Sequence, residues 1–340
     1  MKFRICYPLF IFAIVLFFSC SEDTPNPKPS NPITGTTIIK LSKLEDALNN
    51  KNQKFVNLLN KIRGSVGTSG PGSKVIWSRK NTSGLGIYVS ANHVINLNNW
   101  NSRNEGFIDP AKINWGVFVG SKIPPVSGKI SLGNTLSASF PFYHPQIPAS
   151  ATNTTILPAN DFYIGIIDNQ KVIDNGLGQS PSLLQTKTPL EMYDPNNRTK
   201  MAQTWASVTP GDTIVALGYP QNKNSYPNGA VSSGTIYSDN DAENIITKLK
   251  LAGDEEGNIP YNSDVEFIAK AKGVAGMSGG GVFNKEGQLI GIMVRATKLN
   301  NEPILRVVRL SYIRSKIITF YNTLSSSDRT KFSFYIGEEL

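Results

Sequence analysis

Glycine and proline punctuate this chain so often that long regular elements have little room: 29 Gly and 21 Pro make up 50 of 340 residues. Gly supplies the positive φ of tight turns, and Pro lacks the N–H that helix interiors and central strands need. Such a chain folds as short strands joined by turns rather than as a helical bundle. With 39% hydrophobic and 17% charged residues it can bury a core, and its length fits one or two domains. The balance of 34 Lys+Arg against 25 Asp+Glu leaves +9, compatible with acidic partners in general. The basic residues are scattered and show no interleaved aromatic patch, so nucleic acid is not an expected partner. Two Cys and two His make neither a disulfide scaffold nor a four-thiolate zinc site, and both Cys lie within the first 20 residues. No metal and no cofactor are expected.

The first residues read as an address. Met1-Lys2-Phe3-Arg4 is a basic head, and Ile5 to Phe18 is a nearly unbroken apolar run that ends at Ser19-Cys20. It is short for a membrane span and matches a signal peptide over residues 1–19. A small residue followed by Cys at this point resembles the cleavage and lipidation site of bacterial lipoproteins. The resemblance implies an acylated Cys20, an extracytoplasmic protein, and anchoring at the outer membrane or cell surface. Residues 20–40 include four prolines between 25 and 32 and no apolar periodicity, as in a disordered tether.

Within 41–63, Leu41, Leu44, Leu48, Phe55, Leu58, Leu59 and Ile62 recur mostly at three- and four-residue intervals, predicting one amphipathic helix or two short ones. From about 64 to 324 strand-like runs alternate with turns. They are Lys74–Trp77, Leu85–Val89, Asn114–Val119, Phe162–Ile167, Thr213–Leu217, Ala230–Tyr237, Val265–Ala271, Gly281–Val294 and Ile304–Leu310. The turn 284–287 divides Gly281–Val294 into a hairpin. Leu310 to Leu324 carries a helical face, and 325–340 is a tail. The strand count fits a pair of barrels or a sandwich.

The sharpest motif is Gly276-Met277-Ser278-Gly279-Gly280-Gly281 between two strand-like runs. Flanking glycines allow backbone conformations closed to other residues, so a serine hydroxyl can stand exposed while N–H groups converge on an oxyanion. A serine nucleophile usually needs a base. His93 ends the strand Gly84 to Ser90, whereas His144, in Phe142-Tyr143-His144-Pro145, looks like a surface turn. Asp161 opens the strand Phe162 to Ile167 and is the first choice to orient an imidazole; Asp168, at its far end, is the second.

In the order His, Asp, Ser, these pieces resemble the trypsin-like (chymotrypsin-fold) serine peptidases. The resemblance rests on Ala91-Asn92-His93-Val94, Asp161 to Ile167 and Gly276 to Gly280. Gly211 to Pro220 and Val231 to Ile236 are similar to stretches of the family's bacterial branch. It implies an all-β domain over 64–324: two six-stranded antiparallel barrels with an N-terminal helical segment and a C-terminal helix. It further implies peptide-bond hydrolysis by Ser278, His93 and Asp161 through an acyl-enzyme, with the N–H groups of Gly276 and Ser278 as the oxyanion hole. The specificity pocket would draw on Lys272, Val294, Arg295 and Ala296. The α/β-hydrolase alternative fails because its histidine follows the serine, and both histidines here precede Ser278. The alternative that stays open is a catalytically silent form of the same fold acting as a surface binding or adhesion module.

Overall fold

The computed structural model describes residues 40–69, 71–79, 85–94, 106–107, 139–145, 147–148, 150–152, 154–168, 206–323 and 325–326. The signal peptide, Cys20, nearly all of the tether, the run Asn114–Val119 and the end of the C-terminal tail therefore lie outside the described residues.

Turn chemistry and period-two patterning divide the chain into two antiparallel sheets. The first contains β2 (Val66–Ser69), β3 (Gly72–Arg79), β4 (Leu85–Ser90), β5 (Gly106–Phe107), β6 (Ser139–His144) and β7 (Tyr163–Asp168), in the order β2-β3-β4-β7-β6-β5. The second contains β8 (Thr213–Gly218), β9 (Ala230–Ile236), β10 (Glu266–Lys270), β11 (Gly281–Asn284), β12 (Leu289–Leu299) and β13 (Glu302–Arg309). Its order β9-β10-β13-β12-β11-β8 is closed by β8 pairing with β9, which makes a six-stranded barrel. A two-residue strand, β1 (Ser42–Lys43), adds to β9 from outside. Of the two barrels expected, one is thus closed; the other is a six-stranded sheet with no β2–β5 pairing among the described residues.

Alternate residues fill the barrel: Ile214 and Ala216, Phe267 and Ala269, Leu305 and Val307 all belong to one buried cluster. The outer face is also covered, which is why the strands read as nearly continuous apolar runs. Helix α1 (Leu44–Leu48) and helix α2 (Gln53–Ile62) precede the first sheet, so the stretch 41–63 holds two helices. Asn52 caps α2 by accepting from the N–H groups of Lys54 and Phe55. Lys61 on α2 donates to the Glu286 carbonyl in the β11–β12 turn at 2.6 Å. Helix α3 (Asp239–Leu251) packs Ile245, Ile246 and Leu249 against Ile268 and Ile304. Although α3 falls between the strand-like runs, its sequence carries helix signals: Ser238 accepts from the Asp241 N–H at the N-cap, and Lys248 and Lys250 close the last turn. Helix α4 (Leu310–Thr323) follows β13 directly.

The paired strands β10 and β13 carry a buried ion pair. Arg306, 1% exposed, donates through Nε and Nη2 to the Glu266 carboxylate at 2.8 and 2.6 Å. Its other N–H groups reach the carbonyls of Glu256, Ile259 and Pro260. All five guanidinium donors are satisfied, the condition under which a charge pair is tolerated away from water. Burial still pushes the Glu266 carboxyl above its usual range, against the pull of Arg306.

Candidate active site

His93 stands just past the end of β4, and its surroundings fix it before any substrate is considered. Asn92, fully buried, donates from its amide to the carbonyls of Pro145 and Asn160 at 3.1 and 2.8 Å. It thereby ties the end of β4 to the short 3-10 turn Pro158–Asn160 that precedes Asp161. Asp161 has no exposed surface. Its carboxylate accepts the His93 backbone N–H at 2.9 Å and faces the ring Nδ1 at 2.9 and 3.0 Å. The imidazole side chain is 12% exposed. A buried carboxylate on Nδ1 and on the backbone N–H holds both the ring's position and the tautomer protonated at Nδ1, leaving Nε2 as the basic nitrogen.

His144 is not a surface turn. It lies at the end of β6, 3% exposed, stacked on Tyr163 with ring centroids 5.8 Å apart and an interplanar angle of 10°. Tyr143 and Pro145 beside it are buried as well; the proline ends the strand without bringing it to the surface. Asp168 closes β7 and pairs in register with Leu85, at the opposite end of that strand from Asp161.

The glycine-rich loop is shaped by backbone bonds. Met277 donates to the Val274 carbonyl at 3.0 Å, closing a four-residue turn whose third residue, Gly276, has φ +93°. That sign is what a type II turn requires and what a side chain resists. The Ala275 carbonyl accepts the Gln221 N–H at 2.9 Å. In a planar trans peptide C=O and N–H point in opposite directions, so this bond turns the Gly276 N–H away from Gln221. Neither the Gly276 nor the Ser278 N–H meets an acceptor among the described residues. At Gly279, φ +83°, a Cβ would fall 2.2 Å from the Ser73 carbonyl oxygen.

Ser73 was not singled out from the sequence, yet it joins the first sheet to this loop. Fully buried on β3, it donates its N–H to the Ser278 carbonyl at 2.8 Å and its hydroxyl to the Gly276 carbonyl at 2.7 Å. The same hydroxyl accepts the Tyr219 N–H at 2.8 Å, and the Ser73 carbonyl accepts from the Ser90 hydroxyl at 2.7 Å. A serine beside a turn carries no pattern that announces partners 146 and 203 residues away.

His93 and the half-buried Ser278 border one cavity of about 380 Å³. Val294, Arg295 and Ala296 line it too; Lys272 does not. Arg295 turns its guanidinium inward, to the Glu256 carboxylate at 2.9 Å and the Ile156 carbonyl at 2.5 Å. Lys272 is exposed and borders a second cavity. Beyond Met293, which exchanges backbone bonds with Gly279 and Gly280, Arg295–Leu299 of β12 pair with β13 only, leaving one strand edge unpaired among the described residues. Among the described residues no group of three or more His, Cys, Asp or Glu could hold a metal, and no helix is long and apolar enough to cross a membrane.

Residues 183–292 match the family model described as a trypsin-like peptidase domain, a stretch that includes Ser278 and the loop around it. No curated protein matches the chain in sequence. Among solved structures, the chain is similar to the inactive form of a Ser-to-Ala mutant of Rv3671c from M. tuberculosis H37Rv, with 13% identity, TM-score 0.36, and coverage of 79% of this chain and 92% of that one. It is also similar to the MamO protease domain from Magnetospirillum magneticum, with 15% identity, TM-score 0.35, and coverage of 75% and 97%.

Proposed function

We propose that this chain is a serine endopeptidase, carried outside the cytoplasm on a lipid at Cys20, with the first sheet as the counterpart barrel of a chymotrypsin-like pair. The observation that carries the reading is the His93–Asp161 pair on the cavity that Ser278 borders, beside two N–H groups with no acceptor among the described residues. The family match over 183–292 supports the same chemistry.

In this reading the Ser278 Oγ attacks the carbonyl carbon of the scissile peptide, and His93 Nε2 takes the hydroxyl proton. Asp161 stabilises the imidazolium that forms. The N–H groups of Gly276 and Ser278 receive the oxyanion, and the Gln221–Ala275 bond pre-orients the first of them without reorganisation during the reaction. As the C–N bond breaks, His93 returns the proton to the leaving amine. Water, deprotonated by the same histidine, then hydrolyses the acyl ester and regenerates Ser278. The protein requires no cofactor in this scheme.

The test is labelling of the full chain, in detergent, by a fluorophosphonate probe beside the Ser278→Ala and His93→Ala forms. Labelling of the parent alone is expected. A folded parent that takes no label refutes the active enzyme and leaves the fold as a binding module. Anchoring is checked by incorporation of labelled fatty acid in a bacterial host, expected in the parent and absent in Cys20→Ala.

A further inference from the structure

Next to the cavity that His93 and Ser278 border lies a larger one, of about 760 Å³, whose walls have a marked composition. Lys40, Lys270, Lys272 and Lys298 line it, and among the described residues no Asp or Glu does. Lys270 is already paired with Glu302. The ammonium groups of Lys40, Lys272 and Lys298 have no carboxylate within 4.0 Å among the described residues, and all three side chains belong to exposed residues. Three unneutralised like charges around one concavity raise its positive potential and favour an incoming anion.

The position of this cavity ties it to the reaction site. The two cavities share Gly273 and Ala296 as walls. A Cβ on Gly273 would lie 3.0 Å from the Ala296 Cβ and 2.9 Å from Leu305 Cδ1, so Gly273 packs closely on Ala296 where the two cavities adjoin. The unpaired edge of β12 runs past both, because Arg295 and Ala296 border the first and Ala296, Thr297 and Lys298 the second. An extended peptide on that edge advances ~3.3 Å per residue, so a side chain within a few residues of the bond at Ser278 reaches the lysines.

Resting on the peptidase reading, we infer that the lysine-walled cavity is the subsite for a carboxylate side chain of the peptide substrate, and that the enzyme selects acidic peptides. Leu41, Ala271 and Pro303 give the cavity an apolar wall for the methylenes of a glutamate, while the ammonium groups meet its carboxylate. Specificity then comes from loss as well as gain, since the isosteric amide leaves the lysines' charge unanswered.

The test uses the full chain carrying Ser278→Ala, in detergent, and two fluorescent peptides identical except for Glu or Gln near the centre. Anisotropy is expected to give about tenfold tighter binding of the Glu peptide at low salt, shrinking as ionic strength rises. In Lys272→Gln/Lys298→Gln the two peptides are expected to bind alike, with the affinity for the Gln peptide unchanged. Equal binding of both peptides by the Ser278→Ala protein overturns the inference, as does a Glu preference that survives the double lysine substitution. Fluorophosphonate labelling of the parent separates the two ideas. Label without a Glu preference removes the acidic subsite alone. A lysine-dependent Glu preference without label supports the carboxylate site and removes hydrolysis.

Discussion

Replacing Ser73 with alanine removes one oxygen and strands two buried groups. The bonds that Ser73 makes with its own backbone survive, its N–H to the Ser278 carbonyl and its carbonyl accepting from the Ser90 hydroxyl. The Tyr219 N–H loses its acceptor at 2.8 Å and the Gly276 carbonyl its donor at 2.7 Å, at a site where Ser73 has no exposed surface. A stranded buried polar group costs about 1–3 kcal/mol. The carbonyl has a second lone pair and falls at the low end, so the pair together costs about 2–4 kcal/mol. For a domain this large each kcal/mol moves the melting temperature by about 2–4 °C, which predicts a fall of about 5–15 °C. Ser90→Ala removes a single bond and is expected to cost about 1 kcal/mol. The second readout is functional. With its carbonyl released, the Gly276 turn keeps the Met277 and Gln221 bonds but loses the hydroxyl's hold, and fluorophosphonate labelling of still-folded protein is expected to slow. A Ser73→Ala protein that melts within about 1 °C of the parent and labels at the parental rate refutes the reasoning.

Other consequences are equally open to measurement. Gly276→Ala forces a side chain into φ +93° with its Cβ 2.3 Å from the Gln221 nitrogen; loss of that oxyanion donor is expected to slow acylation by about 10²–10³-fold in pre-steady-state labelling. Arg306→Leu removes the guanidinium from the buried Glu266 carboxyl and is expected to cost about 3–5 kcal/mol in urea unfolding, whereas Arg306→Leu/Glu266→Leu costs less than the single change. Burial pushes the Lys74 ammonium down to about 8, outweighing its contact with the Tyr88 ring at 5.4 Å. Between there and its ordinary 10.5 the unfolded chain holds more protons, so this contribution to stability rises with pH through that window. Melting curves from pH 7 to 10 are expected to show the rise in the parent and lose it in Lys74→Met. Above pH 10 the trend reverses, because Tyr237, held up to about 12 by burial and Glu302, keeps a proton that the unfolded chain has released.

The sequence was legible where one strand's own residues carry the signal, and silent where partners are distant. The run from Asp161 to Asp168 announces β7, because apolar residues follow an acid at a turn. The hairpin at 284–287 is equally plain, with Gly287 at φ +79° where the turn needs it. His144 misled because proline beside an aromatic pair reads as a loop, while the fold stacks that imidazole on Tyr163. Arg295 follows a register shift in β12 and points to Glu256 and Ile156, 39 and 139 residues earlier, so a pocket role and a core role look alike in one dimension. Lys272 shows the same limit in reverse: its spacing from Ser278 suggests one cavity, and the fold sets it on the neighbouring one.

The one-sided edge of β12 sets a condition on whatever binds there. Its N–H and C=O groups, unpaired among the described residues, can be answered only by a chain that has withdrawn its own from internal pairing, and a helix or a sheet interior has not. For the proposed peptidase, a folded target must therefore first open locally, and its cleavage rate follows the population of that opened state. Each 1.4 kcal/mol of local stability in the target slows its destruction about tenfold. The edge would make this protein a gauge of how well its neighbours are folded, with the acidic subsite deciding only which of the loosened segments it cuts.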